Sequence, residues 1–335
     1  MRRRKRYEVT DYIAGIVNKD RQMLSQAITL VESCLPEDRQ LAEGLVEGVL
    51  PFTGKSLRIG VSGVPGVGKS TFIDRFGQML VARGYRVAVL TVDPSSTESK
   101  GSILGDKTRM EQLSISPHAF IRPSPSSGVL GGVSANTREC CLLCEAAGYN
   151  IIIIETLGVG QSETIVKGMV DFFLLLALAG AGDELQGLKK GIMEMPDMVV
   201  INKADGDNMD AVNKAQNELR EALHFFPRKE NGWITEVFTC SALKGIGMES
   251  IWDKIQDFEV KMKQSGVFDR NRALQQINWM DEHIVLLLKT GFYSCKDLAE
   301  EMNKTKSMVL TGGKSALSAA RDLVAKYHSL NSPKK

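Results

Sequence analysis

A chain of 335 residues, 43% of them hydrophobic and 24% charged, is long enough to bury a full α/β core and still carry an appended helical segment. Its formal net charge of +2 gives no electrostatic footing for nucleic acid or for an anionic membrane surface, and no apolar run approaches bilayer-spanning length. The six cysteines, at 34, 140, 141, 144, 240 and 295, make no small-domain framework and point to a reducing, cytoplasmic compartment.

The opening run Met1-Arg2-Arg3-Arg4-Lys5-Arg6 is followed at once by Glu8 and Asp11, so it reads as a solvated basic tail and not as a targeting segment. From 8 to 50, Ile13, Ile16, Val17, Leu24, Ala27, Ile28 and Val31 recur at helical spacing. Pro36, Gly44 and Pro51 punctuate them, which predicts two or three helices ahead of the main domain. Leu57 to Ser62 then reads as a strand, and Phe72, Phe76, Met79 and Leu80 as one face of a helix starting near Lys69. Between them Gly63-Val64-Pro65-Gly66-Val67-Gly68-Lys69-Ser70 fits G-x-x-x-x-G-K-[ST] at every fixed position, the pattern of a phosphate-binding loop. Glycine at 63, 66 and 68 lets successive N–H groups turn inward around a β-phosphate. Lys69 would reach the β and γ oxygens, Ser70 would place its hydroxyl on Mg²⁺, and Thr71 follows in the same phosphate-contacting turn.

Gly84 ends this helix, and Arg86 to Val92 forms a β-branched strand stopping at Asp93-Pro94. Residues 94 to 118 are polar and glycine-containing and predict a mobile loop. A helix from about Val133 to Ala147 leads into Ile151-Ile152-Ile153-Ile154-Glu155, an unbroken run of the kind found at a sheet centre covered on both faces. Further strands are expected at Phe172 to Ala177, Met198 to Ile201 and Glu236 to Thr239, separated by helical patterns at 183 to 193, 207 to 224 and 247 to 263. This alternation predicts a parallel sheet wrapped by helices. From Gly266 onward Leu274, Ile277, Met280, Ile284, Leu287 and Leu288 keep helical spacing, which makes the tail a helical appendage.

Two further clusters select the ligand. Asn202-Lys203-Ala204-Asp205 directly follows a strand and fits the N-K-x-D guanine signature, since the Asp205 carboxylate can accept from both N1–H and the 2-amino group of guanine. Lys203 would lay its stem over the base, and Asn202 would tie this loop to the phosphate loop. Ser241-Ala242-Leu243 follows the next strand and can offer the Ala242 N–H to the base oxygen, with Leu243 where many GTPases have Lys. On the phosphate side, Glu155-Thr156-Leu157-Gly158 stands where many GTPases have D-x-x-G, so Glu155 would order a metal water and the Gly158 N–H would meet the γ-phosphate. Asp93 and Asp106 are the other candidate metal carboxylates, and each also reads as an ordinary turn or loop residue. Gln161 lies three residues after Gly158 rather than next to it, which predicts slow intrinsic hydrolysis raised by a partner.

With these residues placed, the chain closely resembles the MeaB/ArgK family of P-loop GTPases, the chaperones of adenosylcobalamin-dependent methylmalonyl-CoA mutase. The blocks carrying the resemblance are Ala27 to Ser33, Val92 to Ser96, Gly101 to Met110, Leu143 to Tyr149, Glu155 to Glu163 and Gly180 to Gly187. It implies an α/β P-loop NTPase fold of the SIMIBI type, with an N-terminal helical segment over 1–52, a GTPase domain over 53–264 and a C-terminal helical dimerisation arm over 265–335. It further implies a homodimer and a GTP/GDP cycle with Mg²⁺, in which the chaperone gates cofactor delivery to the mutase, protects it and promotes replacement of damaged cofactor. Carried over position by position, Lys69, Ser70, Asp93, Asp106 and Glu155 are the phosphate and metal set, and Asn202, Lys203 and Asp205 the base set. The loop from Gly158 to Glu163 resembles the switch coupled to the mutase. Leu157 stands where Val is expected, and the tail beyond about Ser294 matches the family poorly.

Three rivals remain. A nickel or zinc metallochaperone GTPase is suggested by Cys140, Cys141 and Cys144, which also read as buried small hydrophobes on a helix. An amino-acid transport kinase would need ATP and a phosphoacceptor, for neither of which the residues argue. A related acyl-CoA mutase is the third alternative, as client in place of the methylmalonyl enzyme.

Overall fold

The computed structural model describes residues 6–33, 35–92, 110–123, 132–156, 162–180, 190–227 and 229–331. Three helices come first, α1 (Val9–Val17), α2 (Arg21–Val31) and α3 (Pro36–Val49). Asp20 caps α2 by accepting from the Gln22 and Met23 N–H groups at 2.7 and 3.2 Å, and Pro36 opens α3. Strand and helix then alternate: β1 (Leu57–Gly63), α4 (Lys69–Ala82), β2 (Val87–Val92), α5 (Glu111–Ser114), β3 (Ala119–Pro123), α6 (Gly132–Ala146), β4 (Ile151–Thr156), α7 (Ser162–Lys167) and β5 (Phe172–Leu178). The series continues with α8 (Lys190–Met193), β6 (Met198–Asn202), α9 (Met209–His224), β7 (Glu236–Thr239) and α10 (Met248–Gln264), and ends in α11 (Val267–Ser294), α12 (Lys296–Leu310) and α13 (Ala316–Asn331).

The seven strands form one parallel sheet in the order β3-β2-β4-β1-β5-β6-β7. Successive residues of a strand face opposite sides, and the strands are apolar on both. Leu57, Ile59 and Val61 of β1, with Ile151, Ile153, Leu174 and Val200, pack against Phe72, Phe76 and Trp252 of α4 and α10. On the other face Ala88, Leu90, Ile152 and Ile154 meet the N-terminal helices and α6. Val199, Ile201 and Val237 meet α9 at the far end of that face. All loops that carry candidate ligand residues leave the carboxyl ends of these strands, the edge where parallel sheets bind ligands.

The middle strand is β1, with β4 beside it, so the isoleucine run occupies the third place and not the centre itself. The edge strand β3 was not foreseen. Of the region 94–118 expected to be a mobile loop, 94–109 lies outside the described residues and Glu111–Ser114 is a short helix; most of the helical pattern expected at 183–193 also lies outside them. Cys140, Cys141 and Cys144 are wholly buried free thiols, and burial pushes Cys141 up to about 12. They pack as small apolar side chains, and among the described residues no group of three His, Cys, Asp or Glu side chains could hold a metal ion. No described helix is long and apolar enough to cross a membrane.

Two buried ionic networks brace the amino ends of the strands. Arg58 Nε donates to Glu145 Oε1 at 2.8 Å, and the Gly54 N–H donates to the other oxygen at 2.7 Å. Asp171 accepts from the Arg58 N–H at 2.8 Å and, through both oxygens, from Arg272 at 2.8 and 2.7 Å. Arg272 also donates to the carbonyls of Gly54 and Ser56 at 3.2 and 2.6 Å, and so fastens the second turn of α11 to the root of β1. The second network centres on Asp197, whose carboxylate takes Lys167 and Lys229, each at 2.6 Å, and the Phe173 N–H at 2.9 Å. These donors hold its pKa below the usual carboxylate range despite full burial.

Glu139 of α6 is the reverse case. Burial, and secondarily the charge of Glu43 on α3, push its pKa up to about 7 from the ordinary value of 4.5. Folding raises this pKa, so its contribution to stability is complete below about 4.5 and is lost as the pH rises through 7. Glu139→Gln is expected to stabilise the fold at pH 8 by about 1–3 kcal/mol, with the gain shrinking as the pH falls toward 5. Thermal melts of both proteins across that range check it, and a pH-independent difference would contradict it.

Residues 276–335 form a second compact unit. Within it Phe292 meets Tyr327 edge-on at 5.3 Å, and Lys326 pairs with Glu301 at 2.9 Å. Its share of α11 leaves Ile277, Met280, Ile284 and Leu288 exposed at spacings of three and four.

Candidate functional site

Residues 63–68 connect the central strand to α4 and place the phosphate loop at the middle of the carboxyl edge. Gly63 has φ 155°, and a Cβ there would stand 2.5 Å from the Leu176 carbonyl oxygen. Gly68 has φ 92°, and its Cβ would stand 2.8 Å from Asn202 Nδ2. Both positions are therefore closed to a side chain by neighbouring strand ends. Gly66 borders open space, and its φ of 79° alone favours glycine. Val67 is buried beneath the loop, while Pro65 is exposed at the tip and Val64 lies between the two extremes.

Lys69 is only 9% exposed, and its Nζ donates to the Gly63 and Val64 carbonyls at 2.7 and 3.3 Å, which holds the ammonium inside the loop's curve. Burial lowers its pKa, and the negative charges of Glu155 and then Glu163 work against that lowering. Ser70 Oγ donates to Glu155 Oε1 at 3.3 Å, and Glu155, at the end of β4, is 1% exposed. Thr156 Oγ1 donates to Ser62 Oγ at 2.8 Å, so β4 and β1 are also tied by side chains just below the loop. Thr71 is exposed on the first turn of α4. Ser70 and Glu155 thus come together beside Lys69. Asp93, Asp106 and Gly158 lie outside the described residues.

The base side is built around Asn202. Its Nδ2 donates to the Val67 carbonyl at 2.8 Å, while its Oδ1 accepts from the Ala242 N–H at 3.0 Å and the Cys240 thiol at 3.4 Å. One buried amide therefore joins the phosphate loop to both base-side loops. The Ala242 N–H, expected from the sequence to meet a base oxygen, has Asn202 Oδ1 as its acceptor within the protein. Lys203 is exposed with φ 62°, in the left-handed region, so its side chain leaves the sheet end directed outward. Asp205 is half-buried, and its Oδ2 accepts a hydrogen bond from Ser241 Oγ, which orients the carboxylate. Leu243 is 73% exposed at the tip of the third loop.

Glu163 was not among the residues picked out for the site from the sequence. It is fully buried in the first turn of α7, close enough to Lys69 to act on its charge. The motif run Glu155 to Glu163 ended on it, but nothing in the letters distinguished it from an exposed first-turn glutamate. Chemically, such an arrangement can offer backbone N–H groups and one cation to a polyphosphate, two oxygen donors to a hard divalent cation, and a carboxylate to a purine edge.

Comparison with known proteins agrees with this geometry. Residues 24–293 match the family model described as methylmalonyl Co-A mutase-associated GTPase MeaB. The chain is 51% identical over 261 residues to the GTPase ArgK of Escherichia coli (strain K12), covering 78% of this chain and 79% of that one. It is 45% identical over 325 residues to the mouse protein named methylmalonic aciduria type A homolog, mitochondrial, covering 94% of this chain and 78% of the relative. Among solved structures, one described as an LAO/AO transport system kinase superposes with a TM-score of 0.75 at 38% identity, covering 96% of this chain and 97% of that one.

Proposed function

The chain belongs to the methylmalonyl Co-A mutase-associated GTPase (MeaB) family, and from that premise we propose that it is a GTP-driven chaperone of an adenosylcobalamin-dependent methylmalonyl-CoA mutase. As a P-loop GTPase it hydrolyses GTP to GDP and phosphate. The observation that carries the site assignment is the Asn202 amide, which fixes the N-K-x-D loop against both the phosphate loop and the Ser241 to Leu243 loop.

In this reading the N–H groups of 64–70 cradle the α- and β-phosphates, with Thr71 beside them, and Lys69 spans the β and γ oxygens. Asp205 accepts from N1–H and the 2-amino group, Lys203 covers the base, and a guanine oxygen shares the Ala242 N–H with Asn202. Ser70 and Glu155 offer only hard oxygen atoms, one hydroxyl and one carboxylate already within hydrogen-bond distance, a donor set that suits Mg²⁺. When bound, that ion would neutralise charge building up between the β- and γ-phosphates. Asp93 and Asp106 complete the metal side in this proposal, and Gly158 meets the γ-phosphate. Burial lowers the Lys69 pKa, and the negative charges of Glu155 and then Glu163 oppose that lowering and so favour the cation.

The run from Gly158 to Glu163 would report the γ-phosphate to the mutase, gating cofactor delivery and recovery. The free thiols fit a cytoplasmic setting. The exposed Ile277, Met280, Ile284 and Leu288 face supports a homodimer through the C-terminal unit. The test is co-purification from lysate with GDP or a non-hydrolysable GTP analogue. Nucleotide-dependent retention of a methylmalonyl-CoA mutase is expected. A different acyl-CoA mutase would redirect the client assignment, and retention of no mutase in either state would overturn the chaperone reading. Turnover of ATP equal to that of GTP would favour a kinase, as the name of the superposed structure has it.

A further inference from the structure

We propose that Arg75 and Asn208 are positioning residues that latch the two base-side loops from outside and thereby set how long a guanine nucleotide stays bound. The inference rests on the reading that 202–205 and 241–243 clasp guanine.

The third loop is closed at its foot by reciprocal bonds, Ser241 N–H to the Ile246 carbonyl and Ile246 N–H to the Ser241 carbonyl, each at 3.1 Å. Inside the turn, the Lys244 N–H donates to Ser241 Oγ at 3.2 Å. The tip behaves differently. Leu243 points its side chain into solvent, and among the described residues the tip's hydrogen bond to another element is the one from Arg75 Nη2 to the Leu243 carbonyl, at 3.1 Å. Arg75 lies on α4, one turn beyond Thr71, so the helix that starts in the phosphate loop also holds the roof of the base pocket. Gly245, at φ 73°, brings the turn against the arginine stem: a Cβ there would be 3.6 Å from Arg75 Cδ. The stem packs along the turn while the guanidinium caps it.

The opposite wall has a matching device. Lys203 sits in the left-handed region at φ 62°, a conformation that a side-chain-bearing residue keeps only where neighbours hold it. Two bonds do so. The next N–H, of Ala204, donates to the Cys240 carbonyl at 2.9 Å, and Asn208 Nδ2 donates to the Lys203 carbonyl at 3.3 Å. Asn208 is the residue just before α9, so this wall is anchored to a helix in its turn. Neither latch is placed to touch the phosphates. Their loss therefore loosens the pocket around the base without removing a group from the reacting end.

The experiment follows release of fluorescent N-methylanthraniloyl-GDP from the full chain after mixing with excess GDP. Arg75→Ala is expected to speed release about fivefold to tenfold, Asn208→Ala about threefold, and Arg75→Lys to recover part of the loss because an ammonium can still reach the carbonyl. The KM for GTP should rise in step with little change in kcat, and the preference for GDP over IDP should narrow, which a fault elsewhere in the fold would not produce. Arg75→Met, which keeps the stem but has no N–H donor, must release as fast as Arg75→Ala. Uptake by the wild-type chain with unchanged release from the variants overturns this inference alone. No uptake by the wild-type chain overturns the guanine reading and this inference with it.

Discussion

Lys69→Ala is expected to abolish GTP turnover, by about 10³-fold or more, while the sheet remains folded. The lysine's polar contacts are with two loop carbonyls, of Gly63 and Val64, and not with the ionic networks that brace the strands, so the structural cost is about 1 kcal/mol. The catalytic cost is large for two reasons. A cation preset inside the loop is lost at the place where the γ-phosphate separates. In addition, Glu155 and Glu163, whose charges bear on Lys69, lose the ammonium that offsets them near an anionic ligand. Phosphate release at saturating GTP and Mg²⁺, read beside the circular dichroism spectrum, decides the matter. Turnover within tenfold of the wild type would remove Lys69 from the mechanism.

Asp205→Asn is expected to invert the preference among purines. Ser241 Oγ donates to the Asp205 carboxylate, and in the proposed reading guanine offers that carboxylate two donors, N1–H and the 2-amino group. An asparagine presents one acceptor and one donor, which suits xanthine, whose 2-substituent is an oxygen. Because a buried polar pair left mismatched is penalised far more heavily than a lost apolar contact, GDP affinity should fall about 10²–10³-fold and XDP affinity should overtake it. Calorimetric titration with both nucleotides measures this. A ratio unchanged from the wild type would mean that the base is read elsewhere.

The residues found from the sequence were those whose chemistry lies in consecutive letters. The phosphate loop, Asn202 to Asp205 and Ser241 to Leu243 each follow a strand that its own β-branched run reveals, so the fold class and the three loops that Asn202 ties together were legible at once. The edge strand β3 was not, because Ala119-Phe120-Ile121-Arg122-Pro123 pairs with β2 alone, ends in proline and shows no alternation. Partners far apart in the chain left no local trace either. The Ala242 N–H goes to an amide 40 residues away, and Arg75 finds its carbonyl 168 residues on. Glu163 looked like any acidic residue in a first helical turn, and only folding puts it in the interior beside a cation. Asp197 likewise gained its role from two lysines about 30 residues to either side.

The grip of Arg272 on Asp171 decides where this protein can be cut. A version ending at Gln264, the last residue of the helix after the final strand, would leave the Asp171 carboxylate buried without its guanidinium and the Gly54 and Ser56 carbonyls without that donor. A version ending at Gln275 keeps these bonds, together with the one from Gln275 to the Val170 carbonyl at 2.8 Å. The smallest piece that folds therefore includes the opening turns of the tail, and a deletion series should show solubility failing between those two termini.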